Sequence, residues 1–146
     1  MRTAWIAAAA LAATLTAGCK RTTPRPVDTS QAGDIPRSIA VEKLRELLPT
    51  CESVYCAAPS ETLKPSEVRE WSVGDSELWF KDKSDTYRLV YAEITGVRLD
   101  GKGTRYFYAK VFTNRPTKEH MYFRWLTEEH AQQAVELLEA VRPRNP

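Results

Sequence analysis

From Val68 to Trp125 the apolar residues recur at every second position, and on either side of that stretch they recur at every third or fourth. A period of two can only lay its apolar side chains on one face of a strand, and a period near 3.6 only on one face of a helix. Trp71 to Val73 and Glu77-Leu78-Trp79-Phe80 read as strands parted by Gly74-Asp75, and Tyr87, Leu89 and Tyr91 alternate with Arg88 in the next. Ile94 to Leu99 continues as a strand, and Asp100-Gly101-Lys102-Gly103 offers positive-φ residues for a tight hairpin. Arg105 to Thr113 carries Phe107, Ala109 and Val111 on one face and Tyr106, Tyr108 and Phe112 on the other, as a central strand would. Asn114-Arg115-Pro116-Thr117 turns the chain into a last strand with Met121, Phe123 and Trp125 on one face.

The flanking periods are helical. Ala40, Leu44, Leu47 and Leu48 share a face over residues 38 to 48, in a helix begun near Ser38 and stopped by Pro49. Thr127 is placed to cap a second helix, with Glu128 and Glu129 in its first turn to suit the dipole and a stripe of Ala131, Ala134, Val135, Leu138 and Val141 ending at Pro143. Helix, about five antiparallel strands and a closing helix predict an α+β domain over residues 35–146. Its sheet or partial barrel is covered by the C-terminal amphipathic helix.

Residues 1–34 stand outside that pattern. Met1-Arg2 leads into an alanine-rich apolar stretch from Ala4 to Leu15, too short to span a bilayer, and then into Leu15-Thr16-Ala17-Gly18-Cys19. This segment resembles the bacterial lipobox, although Thr16 stands where Leu is commonest. The alternative is a plainly cleaved secretory signal. The resemblance implies that residues 1–18 are a signal peptide, that the Cys19 sulfur takes a diacylglycerol, and that the freed amine is acylated as well. Two or three acyl chains hold a protein to a membrane where one does so only marginally. Lys20 after the cysteine, where Asp is absent, implies by the same resemblance a periplasm-facing outer-membrane lipoprotein in a Gram-negative host. Residues 19–34 lack apolar periodicity and contain Pro24 and Pro26, so they read as a tether with a reach of about 50 Å when extended. Lys20, Arg21 and Arg25 fit a solvated linker, or contacts with anionic head groups at about 1 kcal/mol each.

In an oxidising compartment the two remaining cysteines, Cys51 and Cys56, read as a local disulfide contributing roughly 2 kcal/mol. Two intervening residues would be needed for a thioredoxin-type site, and two further ligands for zinc.

The chain carries 21 Lys and Arg against 19 Asp and Glu, and loss of Arg2 with the signal leaves 20 against 19. That balance gives no electrostatic footprint for nucleic acid. Neither His120 nor His130 falls in a nucleophile, metal or acid-base motif, and no phosphate-cradling glycine loop occurs. The carboxylates Asp75, Glu77, Asp82 and Asp85 gather near a strand turn without calcium-loop spacing. A non-catalytic protein without cofactor or metal is expected.

Tyr91-Ala92-Glu93-Ile94-Thr95-Gly96-Val97-Arg98-Leu99, followed by aromatic strands and a helix ending Ala134-Val135-Glu136-Leu137-Leu138-Glu139-Ala140-Val141, resembles bacterial pleckstrin-homology-like domains over residues 68–142. The resemblance implies a bent sheet or partial barrel plugged by the last helix. It implies no particular ligand.

The remaining signal is aromatic and cationic. Arg105, Tyr106, Tyr108, Lys110, Phe112, Arg115, Lys118, Tyr122 and Arg124 fall on two neighbouring strands, and Tyr with Arg is interface chemistry. The same residues also fit a core whose cations are only its rim. The expected function is a membrane-anchored binding or envelope-assembly module with a protein partner. The alternative is an immunity or inhibitor lipoprotein acting against a toxin or wall hydrolase.

Overall fold

The computed structural model describes residues 34–57, 63–102, 105–115 and 120–144, with backbone alone for Cys56, Ala57, 63–66, Lys102 and His120. The expected signal peptide, Cys19, the expected tether up to residue 33 and Lys118 lie outside the described residues. The fold is α+β, with two helices and two antiparallel sheets. Helix α1 (Arg37–Leu47) runs through a 3-10 turn into β1 (Ser53–Ala57) and β2 (Leu63–Ser66). Then come β3 (Glu70–Val73), β4 (Glu77–Lys81), β5 (Thr86–Val90), β6 (Ile94–Lys102), β7 (Tyr106–Thr113), β8 (His120–Trp125) and α2 (Glu128–Val141). One sheet has the order β2-β1-β8-β7-β6 and the other β3-β4-β5.

The eight strands of the described residues exceed the expected number of about five, and two of the additional ones, β1 and β2, come from the segment around the cysteines, which pairs instead of forming a bridged loop. Cys51 is a free thiol, not half of a disulfide. Its backbone is extended, and after a bend at Glu52, whose N–H pairs with the Arg124 carbonyl at 2.9 Å, the chain enters β1. From Ser53 to Ala57 the backbone is strand, paired with β8 through Ser53 opposite Arg124 and Cys56 opposite Met121, which is not the closed turn a local bridge to Cys56 would require. Gly101 is likewise a strand residue, opposite Phe107, and the hairpin turns after Lys102. Tyr91 leaves β5 for a short 3-10 turn.

A single core lies between the sheets and under the helices. Phe123 of β8 meets Trp71 and Phe80 of the smaller sheet, with ring centroids 6.0 and 6.1 Å apart. Helix α2 covers β6, β7 and β8 and packs on α1, burying Ala131, Ala134, Val135, Leu137, Leu138 and Val141. Burial of that stripe, not capping, accounts for its position: the Thr127 hydroxyl meets His130 Nδ1 at 2.8 Å and makes no cap bond. Tyr91 knits three segments together. Its ring is fully buried beneath Arg37, its hydroxyl donates to the Gly74 carbonyl at 3.1 Å, and its N–H donates to the Ser76 carbonyl at 3.0 Å.

Candidate functional site

Alternation along β7 sends Phe107, Ala109 and Val111 toward the core and leaves Tyr106, Tyr108, Lys110 and Phe112 on the opposite face of the sheet. Antiparallel register then determines their neighbours. Tyr108 lies opposite Arg124 and Lys110 opposite Tyr122 on β8; Arg98 of β6 lies opposite Lys110; Tyr55 of β1 lies opposite Tyr122. One sheet face thus carries Tyr55, Tyr106, Tyr108, Tyr122 and Phe112 interleaved with Arg98, Lys110 and Arg124.

The cations lie over the rings. Lys110 Nζ sits 4.7 Å from the centre of Tyr122 and 5.0 Å from that of Phe112, whose other cation is Arg98 at 5.3 Å. The Arg124 guanidinium lies 4.4 Å from the Tyr106 ring and 5.2 Å from Tyr55, to whose hydroxyl it also donates. Arg105 lies over Tyr106 at 5.5 Å. Cations placed over aromatic faces in this way each gain about 0.5–1 kcal/mol when exposed and more when desolvated. Tyr108 stands between Tyr55 and Tyr122, both edge-on at 6.1 Å, and burial raises its phenol above the ordinary value.

Carboxylates are scarce on this face. Asp100, opposite Tyr108, already accepts from the Gly101 N–H at 2.9 Å, and Glu52 reaches Arg124 only at 4.0 Å. Arg98, Arg105 and Lys110 form no ion pair with any described residue. Beneath the rings, Ser53 Oγ and Arg124 Nε, at opposed register positions, are buried without a hydrogen-bond partner.

Of the residues singled out from sequence, Tyr106, Tyr108, Lys110, Tyr122 and Arg124 come together, with Arg105 at their edge. Arg115 does not join them. Its Nε donates to Glu93 at 2.6 Å and its Nη2 to the Arg88 carbonyl at 2.8 Å, so it covers the outer edge of β5. Tyr55 and Arg98 belong to the face and were missed. Alternation from Ile94 to Leu99 would have flagged Arg98, whereas Tyr55 was hidden by reading its segment as a bridged loop. The carboxylates near the strand turn do not converge either. Glu77 is held by Arg88 at 2.5 and 2.6 Å, while Asp82 accepts from the N–H groups of Ser84 and Asp85. Those bonds hold both acids below their usual range. Among the described residues no three His, Cys, Asp or Glu side chains gather to hold a metal, and no helix is long and apolar enough to cross a membrane.

No family model matches the chain, and no curated protein matches it. A solved structure described as "PH domain from TgAPH" superposes with a TM-score of 0.48 at 15% identity, over 75% of this chain and 93% of that chain. A likeness at that level assigns neither family nor ligand.

Proposed function

We propose that this protein is a membrane-tethered, non-catalytic binding module that takes an acidic protein partner on the aromatic and cationic face of the five-stranded sheet. The observation that carries the reading is the absence of counter-charge: Arg98, Arg105 and Lys110 lie over rings and form no ion pair with any described carboxylate. A cation already seated on a ring loses little further freedom when a partner's carboxylate arrives, and Tyr with Arg supplies most of the energy at many interfaces. In this reading Cys19 carries the lipid, and the tether keeps the domain within about 50 Å of the membrane, facing the periplasm.

The test is crosslinking in intact cells, then membrane solubilisation and identification of what co-purifies. Expected is one dominant acidic protein that is lost from Arg98→Glu/Lys110→Glu, together with release of Cys19→Ser from the membrane. Full retention by the charge-reversed variant would overturn the assignment of this face. An envelope protein as partner would make the chain an assembly factor, and a toxin or wall hydrolase would make it an inhibitor.

A further inference from the structure

The smaller sheet carries a second surface that differs in chemistry from the first. Its inner face sends Trp71, Phe80 and Leu89 into the core, so alternation leaves Glu70, Ser72, Glu77, Trp79, Lys81, Thr86 and Arg88 outward. Glu70, Glu77, Trp79, Lys81, Thr86 and Arg88 line one shallow groove. Its floor is Trp79, opposite Ser72 on one side and Arg88 on the other.

Two features set this indole apart. Arg88 does not lie over it, because the guanidinium is drawn sideways into a two-pronged bond with Glu77 at 2.5 and 2.6 Å. Nor does Trp79 make any ring contact, cation contact or side-chain hydrogen bond with a described residue, although Trp125 bonds Thr50 and Trp71 packs tilted against Phe80, centroids 5.2 Å apart. A half-buried tryptophan thus presents an open ring face and a free Nε1 donor in a groove walled by two acids, two bases and a hydroxyl.

We infer that the Trp79 groove binds an uncharged sugar ring of a glycan. Two carboxylates against two cations leave no net charge to attract an ion, so an anionic or cationic ligand gains nothing by entering. Polar C–H bonds on the flat side of a hexose suit an indole face, and its hydroxyls and amides find acceptors in Glu70 and Glu77 and donors in Lys81, Arg88 and Trp79 Nε1. The Glu77–Arg88 pair is made before the ligand arrives, so little ordering is required on binding.

The mature lipidated chain, residues 19–146, in a detergent without a sugar head group, is titrated with tri-N-acetylchitotriose while the indole N–H signals of Trp71, Trp79 and Trp125 are followed by NMR. Expected is a saturable shift of the Trp79 signal with Trp125 unmoved, at least about tenfold weaker binding in Trp79→Ala, and unchanged binding in Arg98→Glu/Lys110→Glu. If Trp79→Ala loses its native circular dichroism, Glu77→Gln and Arg88→Ala report on the same groove, and each is expected to weaken binding severalfold. An unmoved Trp79 signal, undiminished binding in these variants, or a shift produced instead by an acidic peptide would overturn the assignment. The Arg98→Glu/Lys110→Glu arm separates this site from the partner face, since either can fail alone.

Discussion

Arg45 of the first helix donates to the backbone carbonyl of Val73 at 2.9 Å and so covers the outer edge of β3. The edges at β5 and β6 are treated alike. Arg115 covers β5 at the Arg88 carbonyl, and from α2 the Glu139 carboxylate accepts the Val97 N–H at 2.8 Å while Arg142 donates to the Thr95 carbonyl on β6. Thr95 lies at a bulge between Ile94 and Gly96, which turns its carbonyl outward. Unpaired edges template aggregation, and side chains standing in for a neighbouring strand blunt them.

Glu139→Ala and Arg142→Ala are each expected to lower stability by about 1–2 kcal/mol and to increase self-association on concentration. Urea unfolding and size-exclusion chromatography check both. Two variants that stay as stable and as monomeric as the wild type would refute a protective role for this pair.

Removing buried volume should cost more. Leu138 and Phe123 are fully buried, so Leu138→Ala is expected to lose about 2–5 kcal/mol and Phe123→Ala about 3–5 kcal/mol. The exposed Gln133→Ala should stay within about 0.5 kcal/mol of the wild type.

Ser53 offers the opposite sign. Its hydroxyl is buried without a partner, so Ser53→Ala removes an unmet polar group and is expected to raise stability by up to about 1 kcal/mol. A loss larger than that would show a bond to the hydroxyl in solution.

Alkaline pH should destabilise the fold. Burial pushes the Cys51 thiol from 9.0 to about 12 and the Tyr91 phenol from 10.0 to about 12. Above pH 9 the unfolded chain releases protons that the native one keeps, so this stability is complete below that pH and falls as pH rises toward 12. The slope is about 1.4 kcal/mol per pH unit for each group. Cys51→Ala and Tyr91→Phe should each flatten the curve. Because Cys51 is a free thiol, reductant at neutral pH should leave the melting temperature unchanged.

Period alone was enough to place both helices and β3 through β8, because burying one face of an element imposes its spacing on the residues themselves. The stripe from Ala131 to Val141 and the alternation from Tyr106 to Thr113 are local statements, complete before the chain folds. Gly101 was misread as a turn because glycine permits a turn without demanding one, and pairing with Phe107 prevailed. The Cys51 to Cys56 segment was misread because a cysteine pair says nothing of the backbone between its members, and pairing of β1 with β8 extends it.

The candidate face was half legible. Tyr106, Tyr108, Lys110, Tyr122 and Arg124 lie on strands joined by one turn, where alternation and proximity suffice. Tyr55, almost seventy residues from Arg124, and Arg98 joined them only through register across β1, β8, β7 and β6. Arg115 left them because its guanidinium found Glu93 and an open strand edge. The sequence by itself determined which residues each strand turns to the core and which to its other side, since that follows from covalent geometry. Which of those outward residues share a surface, and which cations are left without a carboxylate, was decided by long-range strand pairing, which no local pattern encodes.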